Sequence, residues 1–166
     1  MTLPEFAIFA PALLYGVFIA ASTALCAIDL REHRLPDLGT VSLAAAGLIL
    51  AQMPWWPLRL PQAADGLALG WAVPVLGELV YRARRAGRSG TGLGDAKYLA
   101  AIGAWFGPVV AALVWATATA LALVWSWLAR FKREFAMGPW IFAALLLVLS
   151  GEWMTRALPA LTRGHL

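Results

Sequence analysis

The chain has 166 residues, of which 61% are hydrophobic and only 13% are charged, and its mean hydropathy is +0.74. These values exclude an ordinary soluble globular domain and predict a polytopic membrane protein surrounded by the lipid bilayer. The net charge of +4 comes from basic residues spread over several loops. An orientation signal therefore explains it better than a binding patch, and we expect no nucleic-acid partner.

Charged residues divide the chain into six apolar segments. Positions 6–28 contain 23 residues without a charge, enough to cross the hydrocarbon core. The predicted spans are Phe6–Ile28, Leu38–Met53, roughly Gly66–Tyr81, Ala96–Phe106, Val109–Ala129 and Met137–Trp153. We therefore predict an all-α membrane protein, a polytopic bundle of about six transmembrane helices forming a single domain over residues 1–166.

The stretch 98–129 is the difficult part of this assignment. Its 32 uncharged residues are too many for one ordinary span and few for two. The sequence Phe106-Gly107-Pro108 offers a break, and two short helices would place the neighbouring basic clusters on one side of the membrane. We therefore predict two short helices here.

The basic residues orient the predicted bundle. Ten of the thirteen lie in or beside the loops that follow spans one, three and five. That side should be cytoplasmic, and both chain termini should be outside. On the outer side, Trp55 and Trp56 stand among prolines in a loop that we expect to be anchored at the membrane interface.

Two aspartates mark the predicted cytoplasmic border. Asp29 closes the first span, and Asp95 opens the fourth directly after the glycine-rich stretch 90–94. Glycines there would leave space for a substrate backbone and let the chain turn into the helix, whose N-terminus favours an anion. An ordinary helix start, with Asp95 as its cap, is the alternative interpretation.

Two carboxylates at the same depth in the membrane suggest general acid–base catalysis. Two close carboxylates cannot both ionise cheaply, so they share one proton and titrate as a pair, as in aspartic proteases. Such a pair activates water without a metal, a serine or a thiol. The chain has a single cysteine, Cys26, and neither a G-x-S-x-G nor an H-E-x-x-H motif. We therefore expect no metal site and no cofactor.

Three stretches resemble the type IV prepilin peptidase family of membrane aspartic proteases. Residues 27–37 (AIDLREHRLPD) resemble that family's aspartate, short polar loop and Pro-Asp or Pro-Asn. Residues 92–97 (GLGDAK) resemble its G-x-G-D-x-K motif, and residues 136–139 (AMGP) are a weaker match to its Pro-Phe-Gly-Pro. The resemblance extends over nearly the whole chain.

The resemblance implies an aspartic endopeptidase whose catalytic pair is Asp29 and Asp95. The matched residues expected to shape the site or contact the substrate are Gly92, Gly94, Lys97, Pro36 and Asp37. The implied substrates are prepilin or pseudopilin precursors of a type IV pilus or secretion system, cut at the cytoplasmic border of the bacterial inner membrane. Larger members also methylate the new N-terminus and carry paired cysteines. This chain has no cysteine pair, so we expect cleavage without methylation.

Other interpretations stay open at this stage. A presenilin-like protease shares G-x-G-D, but such proteins generally have more spans and deeper aspartates. A non-catalytic membrane subunit or assembly scaffold of a pilus or secretion system would carry the same acids as solvated caps. Lys97 has two candidate roles: it orients a carboxylate or substrate carbonyl, or it extends to the membrane interface.

Overall fold

The computed structural model describes residues 3–84, 93–129 and 136–163, with side chains described over 9–84, 93–129 and 136–151. The six helices are α1 (Leu3–Glu32), α2 (Asp37–Leu50), α3 (Leu60–Arg84), α4 (Leu93–Phe106), α5 (Pro108–Ala129) and α6 (Gly138–Arg163). Over the described residues there is no strand, so the prediction of an all-α chain with six helical segments is confirmed.

The long uncharged stretch 98–129 is divided into two helices, as predicted. α4 ends at Phe106 and α5 begins at Pro108, with Gly107 between them at a φ of 87°. Glycine adopts this left-handed conformation without steric cost, and proline suits the first position of a helix because the N–H it lacks has no partner there. The Gly-Pro pair therefore ends one helix and starts the next.

α4 lies at the centre of the bundle. Ten of its 14 residues are buried, and α2, α3 and α5 pack around it. α3 approaches closest: Gly66 packs against the backbone of Gly103, and Gly70 against the backbone of Leu99. A methyl group at either α3 glycine would overlap the main chain of α4, and only small residues permit this approach. The neighbours of α4 therefore fix the position of Asp95 in its first turn.

α1 packs against α4 through large aromatic side chains. The ring centroids of Phe18 and Trp105 are 4.9 Å apart, and those of Tyr15 and Phe106 are 5.2 Å apart. Trp56 joins this cluster: its side chain is only 3% exposed and its ring lies 5.0 Å from that of Tyr15. The prediction that Trp56 anchors a loop at the membrane interface is therefore wrong, because its ring fills the protein core.

Three helices of the described residues are long and apolar enough to cross a membrane, over Phe9–Glu32, Leu60–Arg84 and Pro108–Leu128. Two further apolar helical stretches, Asp37–Leu50 and, as far as the side chains of α6 are described, Gly138–Gly151, are shorter. α4 has 14 residues and is about 21 Å long, against a hydrocarbon core of about 30 Å. Membrane crossing by the helices and the outward placement of both termini stay predictions.

Candidate active site

Asp29 lies one turn before the end of α1 and is 5% exposed. Its Oδ2 accepts a hydrogen bond from the backbone N–H of Gly138, the first residue of α6, at 3.0 Å. Burying a carboxylate is costly, and a charge-assisted hydrogen bond offsets part of that cost. Asp29 is thus held against the start of a helix 109 residues further along the chain.

Asp95 is the third residue of α4 and is 8% exposed. In the antiparallel pair of α3 and α4, Gly70 packs against Leu99, one turn beyond Asp95. One turn further along α3, the buried Pro74 therefore lies level with Asp95. The first turn of a helix also favours a carboxylate through its unpaired N–H groups. α3 therefore passes the first turn of α4 at the level of this acid.

α1 and α4 run antiparallel, which brings the two aspartates to the same end of the bundle. Phe18 packs on the C-terminal end of α4, whereas Cys26 neighbours Tyr98, nearer its N-terminus. Asp29 is one turn beyond Cys26, and Asp95 is one turn before Tyr98, on the same helix faces as these neighbours. Both residues therefore lie towards the same end of the bundle. No described Cα of α1 lies within 8 Å of one in α4.

A small polar cluster lies one turn deeper than the aspartates. The buried side chains of Ser22, Cys26 and Tyr98 are close enough to interact. Within the described part of the chain, neither the Tyr98 nor the Ser22 hydroxyl meets the geometry of a hydrogen bond, whereas the Cys26 thiol donates to the Gly138 carbonyl at 3.6 Å. These polar side chains thus lie between the two aspartates and the aromatic cluster formed by Phe18, Trp105 and their neighbours.

The loop between α1 and α2 joins the site through an ion pair. Lys97 Nζ on α4 lies 2.6 Å from Oδ1 of Asp37, the first residue of α2. Pro36 precedes α2 in an extended conformation, and its carbonyl accepts the N–H groups of Gly39 and Thr40. Asp37 is largely exposed, so we expect the pair to contribute only about 0.2–1 kcal/mol. Lys97 thus contacts the carboxylate of Asp37, and the choice between its two candidate roles stays a prediction.

The two glycines of the G-x-G-D stretch, Gly92 and Gly94, are both predicted to shape the site, and the structure describes only Gly94. Gly92 lies outside the described residues. Gly94 lies in the first turn of α4, and a methyl group there would be 3.1 Å from the Cβ of Leu35, a buried residue of the α1–α2 loop. Gly94 therefore lets this loop pack onto α4. Its predicted part in making space for a substrate is not tested and stays a prediction.

The arrangement suits general acid–base chemistry. Two buried carboxylates on different helices, near the same end of the bundle, are the groups that this chemistry requires, and a water molecule and a proton shared between them stay predictions. Among the described residues, no three His, Cys, Asp or Glu side chains are grouped so as to hold a metal ion. The assignment of Asp29 and Asp95 as the catalytic pair, and the expectation of no metal and no cofactor, stay predictions.

Three residues at the site are not predicted from the sequence: Gly138, Cys26 and Tyr98. Helical spacing is the available signal for two of them, because Cys26 is three residues before Asp29 and Tyr98 is three residues after Asp95. The signal for Gly138 is its place in the weaker family match over residues 136–139, a glycine before a proline where a helix begins. Its contact with Asp29 spans 109 residues, and no local pattern predicts such a contact.

Comparisons with known proteins cover the part of the chain that forms this site. Residues 16–151 match the type IV leader peptidase family. The chain is 34% identical over 165 residues to a prepilin leader peptidase/N-methyltransferase of Dickeya chrysanthemi, which covers 90% of this chain and 54% of that protein. It is 41% identical over 95 residues to the leader peptidase HopD of Salmonella typhimurium, covering 57% and 60%. A prepilin leader peptidase/N-methyltransferase of Burkholderia pseudomallei is 33% identical over 135 residues, covering 75% and 41%.

The matches cover most of this chain but only part of each relative. The chain spans about half the length of the curated relatives it matches. No solved structure matches the chain. The family match includes Asp29, Asp95 and Gly138, and it covers most of the sequence. The chain therefore belongs to the type IV leader peptidase family.

Proposed function

We propose that this protein is a membrane-embedded aspartic endopeptidase that removes the short basic leader from prepilin or pseudopilin precursors. The family match and the relatives named as prepilin leader peptidases support the reaction and the substrate class. The observation that carries the proposal is that Asp29 and Asp95 are both buried, and the neighbouring pair Cys26 and Tyr98, one turn away on each helix, supports a position at the same end of the bundle.

In the proposed reaction, Asp29 and Asp95 share one proton. The ionised carboxylate takes a proton from water as that water attacks the scissile peptide carbonyl, while the protonated carboxyl donates to the carbonyl oxygen. Collapse of the tetrahedral intermediate breaks the C–N bond and transfers a proton to the leaving amine. The leader is released with a new carboxylate and the pilin with a new N-terminus.

We infer that the protein lies in the bacterial inner membrane with the Asp29 end facing the cytoplasm. The three long apolar helices support a membrane location. α4 is surrounded by other helices, so it does not need the length of a lipid-exposed span. The loops that follow α1, α3 and α5, together with the last turns of α1 and α3, carry nine of the thirteen basic residues, and basic loops stay on the cytoplasmic side.

Reporter fusions test this orientation. Alkaline phosphatase fused after Arg88, between α3 and α4, should be inactive because the enzyme matures only outside the cytoplasm. The same reporter fused after Gln52, between α2 and α3, should be active. Green fluorescent protein at the same two positions should give the reverse pattern. High phosphatase activity after Arg88 would contradict the proposed orientation.

Leader removal is the experiment that tests the function. The protein is co-expressed with a candidate prepilin in a host that lacks leader peptidases, and the pilin is analysed by intact mass and N-terminal sequencing. We expect a shortened, unmethylated pilin that is absent when the peptidase is omitted. A full-length precursor that co-purifies uncut with the protein would favour the scaffold alternative.

A further inference from the structure

The backbone of Gly138 contacts α1 at both of its polar groups. Its N–H donates to Oδ2 of Asp29 at 3.0 Å, and its carbonyl accepts from the Cys26 thiol at 3.6 Å. Cys26 and Asp29 are three residues apart and both buried, so they lie on one face of α1. The first residue of α6 is therefore joined to α1 beside a candidate catalytic carboxylate.

Gly138 also has no space for a side chain. A Cβ atom there would lie 2.7 Å from Oδ2 of Asp29, 3.3 Å from its Cγ and 3.5 Å from its Cβ. These contacts are with the carboxylate itself, on a side chain that is only 5% exposed. The carboxylate has little room to yield, so an added methyl group would displace it or push α6 away.

The contact has one obvious structural explanation, which has to be separated from a catalytic one. The first N–H groups of a helix have no partner within it, and a carboxylate that accepts one of them acts as a cap. A cap would contribute to stability alone. A carboxylate held in one orientation beside a second acid would also be poised for proton transfer, and catalysis depends steeply on such positioning.

We propose that Gly138 is a positioning residue of the peptidase, whose N–H fixes the orientation of the Asp29 carboxylate and whose lack of a side chain lets α6 approach closely enough to do so. This inference rests on the proposed function, because it concerns how the same carboxylate reacts. Cys26 supports the arrangement from the carbonyl side of Gly138.

The test compares two glycines of α6. Among the described residues outside its own stretch of helix, Gly151 has no atom within 4 Å of an added Cβ, so Gly151→Ala is the matched control for Gly138→Ala. Gly138→Ala should lower kcat for prepilin cleavage by about 10²-fold, the cost of misplacing a reacting group by about 1 Å. KM should stay within about twofold, because binding of the leader does not use this bond. Thermal unfolding in detergent verifies that both variants are folded.

Each result of this comparison has a definite meaning. A Gly138→Ala enzyme with the kcat of Gly151→Ala would overturn the proposal and leave Asp29 as a cap of α6. A cleavage rate per total protein that falls only in proportion to the folded fraction would also overturn it, because the folded enzyme would then be fully active. Full activity of Asp29→Asn would instead refute the proposed function itself, so the two failures are distinguishable.

A second pair of variants keeps the proposal falsifiable if Gly138→Ala does not fold. Cys26→Ala removes the donor to the Gly138 carbonyl, whereas Cys26→Ser keeps a donor of similar size. We expect kcat to fall about fivefold in Cys26→Ala, as for the loss of one weak hydrogen bond, and to stay near the wild-type value in Cys26→Ser. Identical kcat values for the two variants would overturn the proposal.

Discussion

Asp29→Asn and Asp95→Asn should each lower the rate of leader removal by about 10²–10⁴-fold, the usual contribution of a general acid or base. Asparagine keeps the size of the side chain, but its amide can act neither as a general acid nor as a general base. The measurement is the initial rate of prepilin cleavage by purified enzyme in detergent, at equal concentrations of folded protein.

The double variant adds a sharper criterion. If the two carboxylates act on one water molecule, removing the second should cost little once the first is gone, because groups that act as a unit are not additive. Asp65→Asn is the control, since Asp65 is an exposed acid near the start of α3, at the opposite end of the bundle. Cleavage by either single variant at the rate of Asp65→Asn would refute the assignment of that aspartate.

Gly66→Ala should destabilise the folded protein by about 1–3 kcal/mol, as overpacking of a close helix contact usually does. A methyl group at Gly66 would overlap the backbone carbonyl group of Gly103 and lie 2.9 Å from the carbonyl carbon of Gly107. Main-chain atoms in the middle of a bundle cannot turn aside as a side chain can. The expected result is a lower thermal midpoint in detergent and a lower yield of folded protein.

Gly77→Ala is the matched control on the same helix. In the described part of the chain, no atom beyond its own stretch of helix lies within 4 Å of a Cβ added at Gly77, so this change should be neutral or slightly stabilising through the higher helix propensity of alanine. Equal midpoints for the Gly66 and Gly77 variants would show that α3 and α4 do not pack as described. The position of Asp95 depends on that packing, so the prediction that Asp95 acts together with Asp29 would lose this support.

The sequence was sufficient to predict the helices because their ends carry local signals. Charged clusters separate the apolar segments, and Gly107-Pro108 divides a stretch that composition alone leaves ambiguous. The two aspartates stand out for a similar reason, since each is an acid at the border of an apolar run. Their placement at one end of the bundle follows once the helices alternate in direction.

Contacts between distant helices have no comparable signal. The bond from Gly138 to Asp29 and the proximity of Cys26 to Tyr98 depend on how α6 and α4 each pack against α1, which no short pattern records. Trp56 shows the same limit. From the sequence alone, a tryptophan between prolines fits an interfacial anchor as well as it fits a core residue. Only the contact of its ring with that of Tyr15 distinguishes the two.

The most direct test of the account is the proximity of positions 29 and 95 in the membrane. Asp29→Cys and Asp95→Cys are combined in a Cys26→Ala background and treated with a short bifunctional thiol reagent, because Cα atoms more than 8 Å apart are beyond the reach of a disulfide. The control pairs Asp95→Cys with Gly16→Cys, about 20 Å further along α1. We expect an intramolecular cross-link between positions 29 and 95 and none in the control. Equal labelling without cross-linking in both pairs would contradict a shared site for the two aspartates.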